Sequence, residues 1–270
     1  MPNLPLGERL LKVKRNYSSF QIISFASATL LFLSCGNKEE PPILEIRDLL
    51  DSSHIADSIE KAKQSAEKSG KTDQIRYLRG WIHYLRKEDD LARVEFSGCL
   101  KENPSAYDCS RGLGLIESQG KTYPEAEKNF REALASATEA KDLEAISILR
   151  SDLGNLYLRQ NRKKEAAFEY RKSLEAKQDG SAYYGLAVAT LMEGDRTSAK
   201  FFLEQGLKTH FRDSIFKAET YFLLGKIQFE SEKNAKAAAE SAKKAFELFP
   251  AKEEYRKAWE KYAKSASSPQ

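Results

Sequence analysis

Apolar side chains recur three and four residues apart through most of the chain, the period of one face of an α-helix. One such stripe runs through Leu49, Leu50, Ile55, Ile59, Ala62 and Ala66, with Lys, Glu and Asp between. Runs of alternating Val, Ile and Thr bounded by hairpin turns, the mark of half-buried strands, are missing. The pattern predicts an all-α fold. It also predicts a final helix beyond Pro250, in which Tyr255, Trp259 and Tyr262 fall at i, i+4 and i+7 and cover the apolar edge of the helices before it.

The helices are themselves periodic. Gly80 is followed by Ala92 twelve residues on, Phe96 four later, Cys99 three later and Pro104 five later. The same spacing recurs at Gly114, Ala126, Phe130 and Ala133, then at Gly154, Ala166, Tyr170 and Ser173, then at Ala187, Ala199, Leu203 and Gly206. A fifth copy, Gly225, Ala238, Ala242, Ala245 and Pro250, has one extra residue in its turn. Small residues at matched places in two successive helices let the backbones approach where they cross, and the larger side chain fills the groove beside them. Two intervals between copies are longer, which predicts longer second helices or longer connections near Thr138 to Glu144 and His210 to Phe216.

This spacing, with the Leu-Gly steps Leu113-Gly114, Leu153-Gly154 and Leu224-Gly225, resembles the tetratricopeptide repeat (TPR), a pair of antiparallel helices of about 34 residues. The resemblance covers residues 73–251 and divides them into units 73–106, 107–140, 147–180, 180–213 and 218–251. It implies a TPR-type α-α solenoid, preceded by a helical cap or degenerate repeat over 44–72 and closed by a capping helix over 252–266. It further implies a protein or peptide partner held on the face lined by the first helices. Carried onto this chain, those inward positions are Tyr77, Trp81 and Tyr84 in the first unit, and Arg111, Leu115 and Ser118 in the second. The third unit offers Ser151, Asn155 and Leu158, the fourth Tyr184, Val188 and Leu191, and the fifth Phe222, Lys226 and Phe229. The family's two-lysine clamp for a terminal carboxylate is incomplete, because Ser151 stands where a lysine would. The set is more aromatic and aliphatic than charged, so an apolar or amphipathic segment is the expected guest, with Trp81, Tyr84, Tyr184 and Phe229 as its main contacts.

One stretch departs from the amphipathic pattern. Phe20 to Leu33 carries no charge and follows the cationic run Arg9 to Arg15, but falls short of the roughly 20 apolar residues that span a bilayer. It ends at Leu31-Phe32-Leu33-Ser34-Cys35, followed at once by polar Gly36 to Pro42. This junction resembles the lipobox of bacterial lipoproteins. It implies a signal peptide over 1–34, lipidation at Cys35, a flexible tether over 35–43, export, and attachment to a membrane on its periplasmic side or at the cell surface.

Charge adds little to this picture. Lys and Arg number 44 against 40 Asp and Glu, and the segment before Cys35 holds most of the excess, so the pI of 8.7 does not point to nucleic acid. His54, His83 and His210 are the only histidines, and no zinc, triad or nucleophile-elbow motif accompanies them. Gly70-Lys71-Thr72 and Gly120-Lys121-Thr122 lack the glycine and preceding strand of a phosphate loop. No cofactor, metal or catalysis is expected. Cys99 and Cys109 lie close in sequence across one short loop. In an oxidising compartment they form a disulfide, or else they are two small buried side chains.

The reading is therefore a membrane-tethered scaffold of the bacterial envelope that binds another protein. A surface lipoprotein that contacts host or extracellular molecules is the alternative.

Overall fold

The computed structural model describes residues 72–211 and 214–267, together with 64, 67, 68 and 70. The expected leader, Cys35, the tether and nearly all of 44–72 lie outside the described residues. Those described form eleven α-helices: α1 (Thr72–Leu85), α2 (Asp89–Glu102), α3 (Tyr107–Gln119), α4 (Tyr123–Glu139), α5 (Leu143–Arg159), α6 (Lys163–Ala176), α7 (Gly180–Met192), α8 (Arg196–Gly206), α9 (Ser214–Glu230), α10 (Ala235–Leu248) and α11 (Glu253–Ser267). The chain divides into two compact units, Met1–Leu149 and Arg150–Gln270, with the boundary inside α5. In the first unit α1 packs on α2 and α3 on α4; in the second α7 packs on α8 and α9 on α10, with α11 against α10. Among the described residues, no helix is long and apolar enough to cross a membrane.

What sets the approach of each pair is visible at the repeated glycines. A Cβ built on Gly80 would stand 2.5 Å from the Phe96 ring, one on Gly114 2.6 Å from the Phe130 ring, and one on Gly154 2.8 Å from the Tyr170 ring. Each ring thus rests on a helix backbone from which the side chain has been removed. Two rings are held from both sides: a Cβ built on Gly112 of the next pair would also stand 2.5 Å from Phe96, and one on Gly185 would overlap Tyr170. In the fourth pair Ala187 takes the glycine's place and Leu203 the ring's, and both are buried in one cluster with Ala199, Leu224 and Ile227. In the fifth, where Ala242 replaces the ring, Gly225 faces the α10 backbone, and a Cβ built on it would stand 3.1 Å from Ala238 O.

The turns inside the pairs repeat as closely as the packing. The backbone N–H groups of Glu88, Thr122, Arg162 and Asp195 donate to the carbonyls of His83, Glu117, Tyr157 and Thr190, each five residues back. Asn234 donates instead to Gln228, six back, which is where the extra residue of the fifth copy is accommodated. Such closures need one residue in the left-handed region, usually glycine. Gly194 supplies it once, but Lys87, Lys121, Asn161 and Lys233 do so elsewhere, at φ between 56° and 64°. Gly120 is therefore not the left-handed residue of its turn: it is right-handed, at φ −70°, and Lys121 takes the strain at φ 64°.

The long intervals are absorbed largely by helix. α4, α5 and α9 each run 17 residues. Only Ala140 to Asp142 connect α4 to α5. There Asp142 accepts from Glu144 N at 3.1 Å and Ala145 N at 3.0 Å, and its other oxygen accepts from Tyr107 OH at 2.9 Å. Cys99 and Cys109 are both buried and joined as a disulfide, with Cα atoms 6.4 Å apart, linking the end of α2 to the start of α3. At the C-terminal end, α11 turns Tyr255 onto Phe222 at 5.0 Å, Trp259 onto Phe246 at 5.7 Å and Tyr262 onto Phe229 at 4.3 Å.

Two substitutions in one helix pair test this account in opposite directions. Gly114→Ala forces a methyl into the buried Phe130 ring and is expected to cost about 1–3 kcal/mol. Lys121→Gly relieves left-handed strain and is expected to gain up to about 1 kcal/mol. Denaturant unfolding of the two variants beside the parent chain measures both.

Candidate functional site

In the first unit the inward positions do not form an open surface. Tyr77, Trp81 and Tyr84 lie on one face of α1, and all three are buried, Trp81 with 6% of its surface exposed. The indole meets Tyr77 edge-on at 6.2 Å, Tyr84 at 5.3 Å and Phe96 at 5.6 Å, in one cluster with Ala92, Cys99, Cys109 and Ile116. Leu115 is half-buried against the same cluster. Arg111, only 1% exposed, places its guanidinium 5.8 Å from the Trp81 ring centre. The expectation that Tyr77, Trp81, Tyr84 and Arg111 line an accessible trough is thus corrected. Aromatic side chains at i, i+4 and i+7 gain more by packing edge to face in the core than by waiting for a guest.

This cluster has an electrostatic cost. Asp108 sits one turn before Arg111, and its enclosed Oδ1 has no hydrogen-bond partner. Burial pushes its carboxyl well above the usual range, and Asp142 pushes the same way while Arg111 opposes them. Burial likewise raises the Tyr77 phenol, with Asp108 adding to it.

In the second unit, several inward positions are occupied by the protein's own contacts. Ser151 Oγ shares a hydrogen bond of 2.9 Å with Ser173 Oγ, and Asn155 Oδ1 accepts from Tyr170 OH at 2.7 Å, fixing the ring that Gly154 and Gly185 hold. Tyr184 packs on Phe216 at 5.6 Å, and burial raises its phenol. Phe222 and Phe229 are taken up by α11. Of the four main contacts expected for a guest, Trp81 and Tyr84 are buried in the core, while Tyr184 and Phe229 are half-buried against neighbouring rings. Leu158 and Val188 are half-buried.

A cavity of about 360 Å³ lies between the end of α7, the start of α8, and α9. Leu191, Leu223 and Ile227 form its apolar wall, and Arg196, Lys226 and Glu230 its charged rim. Leu191 and Lys226 were expected from the sequence; Leu223, Ile227, Arg196 and Glu230 were not. Ile227 and Leu223 flank Lys226 and read simply as core residues of α9. Arg196 is the first residue of α8, which only folding brings to α9. Arg196 and Lys226 are exposed, and neither engages an ion pair among the described residues. Other cations of this unit are bound: Arg150 to buried Glu169 at 2.7 Å, Lys200 to Glu232 at 2.5 Å, and Lys252 to Glu219. Among the described residues, no group of three His, Cys, Asp or Glu side chains is placed to hold a metal ion.

Comparisons with known proteins agree with this architecture. The tetratricopeptide repeat family matches residues 108–179. Among solved structures, one from a functional characterisation of Pseudomonas aeruginosa pilF aligns with a TM-score of 0.59 at 16% identity, over 79% of this chain and 93% of the other. PilW, described as a widely conserved type IV pilus biogenesis factor, aligns with a TM-score of 0.60 at 20% identity, over 79% and 94%. A tetratricopeptide repeat protein from Parabacteroides merdae aligns with a TM-score of 0.58 at 20% identity, over 82% and 83%. No curated protein matches the sequence. At these identities the likeness is one of fold: stacked helical hairpins of tetratricopeptide type.

The buried carboxyl generates a pH prediction. A carboxyl whose folded pKa is raised binds its proton more tightly in the folded chain, so its contribution to stability is full in acid and is lost as pH rises through the folded value. Asp108→Asn is therefore expected to raise the melting temperature at neutral pH, with the gain shrinking as pH falls from the raised folded value toward the ordinary carboxylate range. Melting curves of both chains across that window would show it.

Proposed function

We propose that the chain is a membrane-tethered interaction scaffold of the bacterial cell envelope, which holds an amphipathic segment of a partner protein at the cavity between α7 and α9. An apolar side chain of that segment enters between Leu191, Leu223 and Ile227, and an acidic group beside it meets Arg196 and Lys226. The observation that carries this reading is the pairing of an apolar wall with two cations that lack a counterion, where most inward positions nearby are already packed. Glu230 on the same rim sets the register, because it repels an acidic group placed one step too far along.

The tether is the Cys35 lipid, supported by the apolar run that stops at Ser34-Cys35 and by the polar stretch after it. A lipid at that point holds the scaffold near the membrane and raises the effective concentration of envelope partners.

Selection from a displayed library of amphipathic peptides by the full chain tests the groove. Peptides with Asp or Glu beside Leu or Phe should be enriched, and Leu191→Asp together with Lys226→Glu should weaken them about tenfold while leaving the helical circular dichroism unchanged. Peptides that bind both chains equally would refute the assignment. For the tether, labelled palmitate should enter the parent chain in bacteria and not the Cys35→Ser variant; incorporation by both would place the lipid elsewhere.

A further inference from the structure

Phe168 and Phe201 are 52% and 54% exposed, although both belong to helices whose other faces are packed. Each stands two residues after the small residue that faces the paired helix, Ala166 in α6 and Ala199 in α8, so each points away from its own pair. The same place holds Lys128 in α4 and Glu240 in α10, both exposed, which is what water at a helix surface favours, and the smaller aliphatic Val94, 64% exposed, in α2. An exposed aromatic ring at this place is thus found on two successive outer helices, α6 and α8, both packed on α7.

Cations surround these rings. Lys164, Arg171 and Lys172 lie within one turn of Phe168, with Lys172 Nζ 5.9 Å from its ring centre, and exposed Lys208 lies in the turn just past the end of α8, the helix that carries Phe201. The acids nearby are taken: Glu165 by Arg162 at 2.7 Å and Glu175 by Lys172 at 2.6 Å, while Glu204 lies 3.8 Å from Lys200. Lys164, Arg171 and Lys208 engage no ion pair among the described residues. The charge is uneven along the whole sequence. Residues 150–270 carry 23 Lys and Arg against 17 Asp and Glu, a net +6, whereas residues 1–149 carry 21 against 23.

We propose that the outer face of α6 and α8 rests on an anionic phospholipid surface, with Phe168 and Phe201 inserted at the headgroup boundary and Lys164, Arg171 and Lys208 meeting lipid phosphates. Protruding rings flanked by long cationic side chains suit a fluid surface, which admits each ring without a preformed pocket and supplies anionic charge across the whole face. A folded protein partner would need two cavities at fixed separation and a matched acidic border. The contact is separate from the α7–α9 cavity: Phe168 and Phe201 are not among its lining residues. It also does not depend on lipidation at Cys35.

Site-specific photo-crosslinking in the full chain tests it. Benzoylphenylalanine replaces Phe168, Phe201, Lys128 or Glu240 in turn, and each chain is illuminated with phosphatidylglycerol vesicles or with phosphatidylcholine vesicles. Lipid adducts are expected at 168 and 201, falling about tenfold in phosphatidylcholine and in high salt, with only background at 128 and 240. Equal yields at all four positions, no adduct at 168 and 201, or indifference to lipid charge would overturn the proposal. So would crosslinks at 168 and 201 to a second copy or to another protein in place of lipid. The peptide selection described above is unaffected by Phe168→Ser with Phe201→Ser, so failure of the groove and failure of this face are read separately.

Discussion

The absence of a side chain at one position per helix pair is the constraint on which the packing depends. Phe96, Phe130 and Tyr170 can lie flat against the opposing helix only because Gly80, Gly114 and Gly154 present bare backbone there. A ring seated in this way fixes the separation of its two helices and their rotation, since a turn of either helix by one residue would bring a Cβ into the ring. Gly112 and Gly185 extend the effect to the next pair, so that Phe96 and Tyr170 lock one hairpin to its successor. The fourth and fifth pairs show that the constraint is one of summed volume rather than of glycine itself. Ala187 is tolerated because Leu203 is smaller than a ring, and Gly225 meets backbone because Ala242 leaves the space empty.

Regular packing requires regular turns, and their cost appears in the backbone. Closing each pair with a backbone hydrogen bond five residues back, or six in the fifth pair, places one residue in the left-handed region, and lysine fills it at Lys87, Lys121 and Lys233. A lysine there keeps the turn soluble and charged at the edge of the array, at the expense of conformational strain that glycine would avoid. The disulfide between Cys99 and Cys109 acts at a connection of the other kind, between pairs, where α2 passes to α3 beside the ring of Phe96. The core near that junction also encloses Asp108 and Arg111, a polar intrusion that packing tolerates rather than rewards.

Packing also decides which surface is left for other molecules. The aromatic residues most apt for binding are largely consumed internally: Tyr77, Trp81 and Tyr84 against one another, Tyr184 against Phe216, and Phe222 and Phe229 under α11. What remains open in the second unit is sparser and more charged, with a cavity walled by three aliphatic side chains and cations that have no partner around it and on the outer helices. Recognition at such surfaces relies on complementary charge to orient a guest and on a few apolar contacts to hold it.

The helical hairpins and the small-residue spacing were legible in the sequence, because a period of 3.6 and a repeat of about 34 residues leave their mark on successive copies. The extra residue in the fifth turn was legible too, and it emerges as the one closure that spans six residues. The second glycine contacts, at Gly112 and Gly185, had a faint signal, a glycine two residues before each repeat's own small position, whose meaning depends on which ring lies across the gap. Exposure was not legible. Tyr77, Trp81 and Tyr84 occupy the same register as Leu191 and Lys226, yet the former are buried and the latter border an open cavity. Register states which way a side chain points from its own helix; only the tertiary structure states what stands opposite, and that is settled by contacts between residues far apart in the chain.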